Sequence, residues 1–212
     1  MEREEKMTDR VKRAVKQTEN RFLNLYELEA ERRNGKVAPY FVASRVSDVK
    51  ELKAVSHNKH ADGVIIYGVY GEKRDQIVLV KQFRYPINDY IYEFPAGLVE
   101  QGEDVAAAGV REMYEETGLT LTVRQADSAY SKPFFTTVGM TDECCGTVYG
   151  YCSGTPTSLH QEESEDIQVV IADRDECRRI LKEENVAIMC AYMLMHFIHS
   201  EEKDPLAFLD EI

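Results

Sequence analysis

The stretch Gly97-Leu98-Val99-Glu100-Gln101-Gly102-Glu103, followed after seven residues by Arg111-Glu112-Met113-Tyr114-Glu115-Glu116-Thr117-Gly118-Leu119, is where this chain concentrates residues able to do chemistry. At 3.6 residues per turn, Glu112 and Glu116 lie one above the other on a predicted helix, with Glu115 beside them on the same wall. Ala106, Val110, Met113 and Thr117 fall on another face, which reads as the buried side. Glutamates at i and i+4 repel by roughly a few tenths of a kcal/mol. A helix that stacks carboxylates in this way is expected to meet a cation, and hard divalent cations prefer carboxylate oxygen. Arg111 can pair with Glu115 or reach back toward Glu103 and offset part of the repulsion. Glu103, at the start of the helix, is favoured there by the helix dipole whatever its function and reads first as structural. Gly118 reads as the C-cap.

These acids must be positioned by the elements around them. Phe94-Pro95-Ala96-Gly97 opens the stretch: Pro95 pushes Phe94 into an extended form, and Gly97 lets the backbone come close to a ligand. Upstream, residues 64–70 and 76–82 are apolar runs rich in β-branched and aromatic side chains, joined by a polar turn, and residues 89–93 form a further short strand. Downstream, residues 119–124, 146–152 and 166–171 read as strands, and residues 173–182 and 186–199 as helices. This order predicts an α/β fold in which a sheet lies between helices. Residues 1–20 alternate acids and bases and read as a frayed helix or a disordered lead-in. Residues 21–30 and 37–45 read as two strands of a hairpin around Asn34-Gly35. A hairpin alone cannot bury its apolar face, so residues 21–54 are expected to pack on the main domain, 55–212, or on a second subunit.

Bulk composition narrows the function classes. The 212 residues carry 38 acids against 26 bases, a formal net charge of −12, which argues against a nucleic-acid partner. It does not argue against a phosphate-bearing small molecule, because a bound metal inverts the local charge. The five cysteines, Cys144, Cys145, Cys152, Cys177 and Cys190, form no C-x-x-C pair and suggest neither a zinc site nor a disulfide framework; reduced buried thiols are expected. No signal-peptide core and no run of membrane-spanning length is evident, so a cytoplasmic protein without membrane association is expected.

The residues at 97–119 match every fixed position of the Nudix signature: Gly, five residues, Glu, seven residues, then Arg-Glu-aliphatic-x-Glu-Glu-x-Gly-aliphatic. The chain thus resembles the Nudix hydrolases. The resemblance implies an α/β/α sandwich with a mixed sheet over residues 55–212, preceded here by the N-terminal β-hairpin. It also implies a loop-helix-loop that holds Mg²⁺ or Mn²⁺ against a diphosphate, with Glu112 and Glu116 as ligands, Glu115 as a bridging ligand, and the Ala96 carbonyl as a further one.

Outside the signature, the run from Ile77 to Pro86, together with Glu93-Phe94-Pro95-Ala96-Gly97-Leu98, resembles the ADP-ribose pyrophosphatase branch, which hydrolyses nucleoside diphosphate sugars. Arg84 could hold a phosphate or terminal ribose with its planar fork, or be a surface arginine. In the segment Phe135 to Glu143, Val138 stands where this branch usually has proline; Glu143 either hydrogen-bonds ligand or water, or ends a loop. The acidic run Glu162-Glu163-Ser164-Glu165-Asp166 is either a solvated loop or the counterpart of the family's loop that closes over substrate. By that match Glu163 is the water-activating base and Glu165 an additional metal contact. The branch sandwiches adenine between aromatic rings, often one from each subunit of a homodimer. With no tryptophan in the chain, Tyr26, Tyr40 and Phe41 are the substitutes, although core packing explains them equally.

The expectation is therefore a homodimeric hydrolase that cleaves ADP-ribose or a related nucleoside diphosphate sugar, using Glu116 and Glu163 in catalysis. Two rivals stand beside it: hydrolysis of oxidised nucleoside triphosphates, which the N-terminal hairpin and the residues 81–86 speak against, and non-catalytic sensing of a nucleotide sugar, which the intact signature speaks against.

Overall fold

The computed structural model describes residues 9–161, 166–201 and 203–211. By contact density the chain forms two units, residues 1–60 with 134–144, and residues 61–133 with 145–212.

The first unit holds strands β1 (Val11–Lys16), β2 (Asn24–Glu31) and β3 (Val37–Ser44), followed by a short 3-10 turn (Val49–Glu51) and one helical turn, α1 (Lys53–Ser56). The strands form an antiparallel sheet in the order β1-β2-β3. The expected hairpin is there, but it is two strands of three: residues 11–16 are a strand, not a frayed helix or lead-in. The alternating charges that read as disorder are cross-strand partners, Lys12 to Glu31 at 2.8 Å and Arg13 to Glu29 at 3.6 Å. Val11 and Ala14, meanwhile, pack on a core of Tyr26, Leu28, Val42 and Leu52. At the β2–β3 turn only Gly35 takes positive φ, at 76°. Its N–H donates to the Arg32 carbonyl at 2.9 Å, and the Lys36 N–H donates to Asn34 Oδ1 at 3.1 Å, so the loop is a five-residue connection rather than a two-residue Asn-Gly turn.

The second unit carries the sheet that matters for chemistry. Its elements are β4 (Gly63–Tyr70), β5 (Gln76–Arg84), β6 (Asp89–Glu93), β7 (Ala96–Leu98), α2 (Val105–Thr117), β8 (Thr120–Arg124) and α3 (Ser128–Ser131). A two-residue strand, β9 (Phe134–Phe135), belongs to the first unit; then follow β10 (Cys144–Ser153), β11 (Ile167–Asp173), α4 (Arg174–Glu183) and α5 (Ile188–His199). The strand order is β11-β5-β4-β10-β8, with β6 on β5 and β7 on β4. The β4–β10 pair is parallel while β4–β5, β5–β11 and β8–β10 are antiparallel, which makes the sheet mixed.

Strand β4 is buried on both faces, as its unbroken apolar sequence requires. On one face Val64 and Ile66, with Val78 of β5, pack against Ala108 and Met113 of α2. On the other, Ile65, Tyr67 and Val69 pack against Cys177 and Ile180 of α4 and Cys190, Leu194 and Phe197 of α5. The period-two alternation of one strand thus serves two helical layers, and the α/β/α sandwich expected from the sequence is the fold. Four of the five cysteines are buried, and burial pushes the thiols of Cys152 and Cys177 up to about 12, far from the reactive thiolate range. Among the described residues, no helix is long and apolar enough to cross a membrane.

Candidate active site

Helix α2 begins at Asp104, whose side chain accepts the Ala106 and Ala107 N–H groups, and ends at Gly118, which takes the left-handed conformation at φ 71°. Its buried stripe is Gly109, Met113, Glu116 and Thr117 with Ala108. Val110, expected on that stripe, is 39% exposed. The stripe is rotated because Gly109 lies directly against Val148: a Cβ there would sit 2.9 Å from its Cγ2. This close approach turns Glu116 inward, to 3% exposure.

Strand β7 receives the acids. Glu116 Oε2 accepts the Ala96 N–H at 3.2 Å. The Glu112 carboxylate occupies the space where Gly97 has no side chain: a Cβ on Gly97 would lie 2.0 Å from Glu112 Oε1. The glycine that opens the signature is therefore a seat for the helix's own carboxylate. Arg111 spends all five of its N–H donors in one cluster. Nε donates to Glu103 Oε1 at 3.0 Å; Nη1 to Glu112 Oε1 at 2.8 Å and Glu115 Oε2 at 2.9 Å; Nη2 to Glu103 Oε2 at 2.9 Å and the Leu98 carbonyl at 3.0 Å. The sequence offered Glu115 or Glu103 as alternatives; the guanidinium reaches both and Glu112 as well, so it is the counter-charge that keeps the stacked acids together.

Glu103 feels this most. The Arg111 hydrogen bonds, with the Glu100 N–H donating at 3.0 Å, hold its carboxyl down at about 2 against an ordinary 4.5. A depressed carboxyl stabilises the fold fully above its unfolded value and loses that contribution as pH falls from about 4.5 toward 2. Arg111→Lys keeps the charge but has only three donors on one nitrogen. Carbon-detected NMR titration of Glu103 in that variant should show its carboxyl returning toward 4.5; a midpoint still near 2 would mean Arg111 is not the cause.

Among the described residues, no three histidine, cysteine, aspartate or glutamate side chains stand together in a ready ion cage. The donor chemistry nonetheless suits a hard divalent cation: the Glu116 and Glu112 carboxylates reach the Ala96 and Gly97 backbone where α2 packs on β7, Glu112 fitted into a cradle that a Cβ on Gly97 would fill, and Arg111 ties Glu115 to Glu112.

Residues 59–186 match the NUDIX domain. The chain belongs to the Nudix family. It is 39% identical over 85 residues to the ADP-ribose pyrophosphatase of Bacillus subtilis, a stretch covering 40% of this chain and 43% of the relative. It is 42% identical over 73 residues to the ADP-sugar pyrophosphatase of Mus musculus, covering 34% of each. The matched stretches thus span less than half of these curated relatives. A crystal structure of an ADP compounds hydrolase shares the fold, with a TM-score of 0.58, 18% identity and 82% of each chain covered.

The remaining predicted residues lie in different parts of this Nudix chain. Arg84 ends β5 and is held by Glu93, with Nε at 2.8 Å and Nη2 at 2.7 Å from Glu93 Oε2. By strand alternation Arg84 shares a face with Val78 and Val80, the face on which α2 packs. Tyr40, Phe41 and Glu143 belong to the first unit. Tyr40 faces the Leu28 side of the sheet and donates its hydroxyl to the Gly139 carbonyl at 2.8 Å, while Phe41 faces the opposite side, across from Glu27. The two rings cannot bracket one base from the same strand. Tyr26, the third aromatic considered, is fully buried and donates to the Val46 carbonyl at 2.6 Å, which makes it core. Glu143 accepts from Arg45 Nε at 3.2 Å and from Thr136 Oγ1 at 3.0 Å. Glu163 and Glu165 lie outside the described residues. Sequence reasoning passed over Glu93 as the partner of Arg84, and over the segment Thr157 to Gln161, which meets the end of α2 without a local pattern that points there.

Proposed function

We propose that the protein is a divalent-metal-dependent hydrolase that cleaves the diphosphate of ADP-ribose, or of a related nucleoside diphosphate sugar, into a nucleoside monophosphate and a sugar phosphate. The observation that carries this reading is the seating of Glu112 and Glu116 on the Ala96-Gly97 backbone, with Arg111 gathering Glu103, Glu112 and Glu115. Similarity to proteins named ADP-ribose and ADP-sugar pyrophosphatases supports the substrate class.

In this reading Glu112, Glu115, Glu116 and the Ala96 carbonyl hold Mg²⁺ or Mn²⁺, which when bound neutralises the diphosphate and polarises phosphorus. Arg84, oriented by Glu93, contacts a phosphate oxygen with the donors left on its guanidinium. Glu163 accepts the proton of a water whose oxygen bonds to phosphorus as the bridging P–O bond breaks in line, and the second phosphate leaves as a monoester. Arg111 holds the Glu112 and Glu115 carboxylates together and aimed. Glu165 adds a further metal contact, and Glu143 with one of the two rings, Tyr40 or Phe41, serves the nucleoside. The protein acts as a homodimer: Leu25, Val37 and Phe41 share one face of the first unit's sheet and are 38%, 55% and 51% exposed, an apolar surface suited to a second copy. A cytoplasmic location suits the buried thiols of Cys152, Cys177 and Cys190.

The deciding experiment offers ADP-ribose, ADP-glucose, UDP-glucose, GDP-mannose and 8-oxo-dGTP with Mg²⁺ or Mn²⁺ and identifies products by chromatography. AMP and ribose 5-phosphate from ADP-ribose are expected. Preferred turnover of 8-oxo-dGTP, or tight binding of ADP-ribose without products, would replace the reading by its triphosphate or sensor rival. With the active substrate, Glu163→Gln should lower kcat by at least about tenfold and leave KM nearly unchanged; a raised KM alone would make that segment a binding element. Light scattering of the same preparation at micromolar concentration should give the mass of two chains, and a monomer would end the dimer proposal.

A further inference from the structure

An α-helix leaves its last carbonyls without intrahelical partners, and a helix that carries ligands near its C-terminus depends on whatever satisfies them. In α2 these carbonyls belong to the turn bearing Glu115 and Glu116. A segment 40 or so residues downstream along the chain meets them (about 40–45 positions, by numbering). The Thr157 N–H donates to the Thr117 carbonyl at 2.8 Å, and the Gln161 side-chain amide donates to the Glu116 carbonyl at 2.7 Å. The His160 ring stacks on Tyr114, one turn earlier, with centroids 4.4 Å apart and planes at 26°. Gly118 makes the approach possible: a Cβ there would lie 2.2 Å from Thr157 Cγ2. The segment is itself turned, with the Leu159 N–H on Thr157 Oγ1 at 3.2 Å and the Gln161 N–H on the Ser158 carbonyl at 3.3 Å.

We propose that Gln161 is a positioning residue for the metal ligand Glu116, an inference that rests on the metal-dependent reading above. Glu116 is gripped at both ends: its carboxylate by the Ala96 N–H of β7, its carbonyl by Gln161. At 3% exposure it has little room to recover its aim by changing rotamer if the last helical turn shifts. The Tyr114–His160 stack fixes where Gln161 begins, so the amide arrives at the carbonyl from a defined direction. Partners that orient a ligand in this way typically alter metal affinity by about 10-fold or more when removed.

The test is Gln161→Met, which keeps length and volume and removes the donor. Mn²⁺ binding without substrate, read from the electron paramagnetic resonance of the free ion, should weaken by about tenfold. At saturating metal the KM for ADP-ribose should stay within about twofold of wild type, since the substrate contacts are untouched. Tyr114→Ala, which removes the stack and leaves the amide in place, should weaken Mn²⁺ by a smaller factor in the same direction. Both variants are checked by thermal unfolding, and should Gln161→Met fail to fold, Tyr114→Ala decides by the same readout. Unchanged Mn²⁺ affinity in a folded Gln161→Met overturns the proposal and makes the segment a mere support. Wild-type protein that binds no Mn²⁺ would instead overturn the metal-dependent reading itself, so the two failures are distinct.

Discussion

Glu116→Gln should lower Mg²⁺-dependent turnover of ADP-ribose by at least about a hundredfold, on the scale of losing one main electrostatic contributor to a reaction. The substitution is nearly isosteric, and one side-chain oxygen remains to accept the Ala96 N–H, which Glu116 Oε2 accepts at 3.2 Å. What disappears is the negative charge. In a position 3% exposed that charge is worth more than at the surface, because little water is present to replace it. The fold should survive: Met113 and Thr117 stay packed, and the brace from Gln161 acts on the backbone carbonyl, which the substitution leaves in place. Circular dichroism and thermal unfolding establish integrity, and single-turnover chromatography measures the chemical step. Turnover within threefold (about half a decade) of wild type in a folded variant, with Mg²⁺ titrating normally, would remove Glu116 from the site.

Gly97→Ala should reduce turnover on the order of a hundredfold while leaving the fold nearly as stable as wild type. Two effects of a new Cβ separate at this position. Gly97 is absent from the positive-φ glycines, so alanine meets no backbone strain. The atoms it would strike are the carboxylate of Glu112, with Cδ and Oε1 each at 2.0 Å, and that is the far end of a flexible side chain. The side chain can swing away at small cost, but it then leaves β7 and loosens the Arg111 cluster. The thermal midpoint should therefore move by no more than a few degrees, about 1 kcal/mol or less for a chain of this size. Gly139→Ala is the control, since an added Cβ there meets nothing within 4 Å. Wild-type turnover in Gly97→Ala would show that the seat of Glu112 on β7 is dispensable. A collapse in stability would show that β7, rather than Glu112, gives way.

Much of this chain is legible from local pattern because the relevant physics is local. The unbroken apolar run from Val64 to Tyr70 reads as a strand, and the structure covers it with α2 on one face and α4 and α5 on the other. Gly118 ends α2 by a capping rule that depends on a few neighbouring residues, as read from the sequence. The acids at 112, 115 and 116 share a wall because helix geometry leaves them no alternative. Their spacing, with the glycines and Arg111, is also what matches the family.

Tertiary structure decided the rest, where the deciding partner is far along the chain. Residues 11–16 look like solvated charge until Glu29 and Glu31 stand across from them, and only sheet pairing supplies those neighbours. Val110 leaves the buried stripe because Val148, 38 positions away by numbering, presses on Gly109 and sets the rotation of the helix. Tyr40 and Phe41 are adjacent in sequence and opposite in space, since consecutive strand residues face opposite ways. The grip of Gln161 on Glu116 has no local signature at all: a glutamine beside an acidic run acquires meaning only when the chain returns to the end of α2 and finds a carbonyl that the helix itself cannot satisfy.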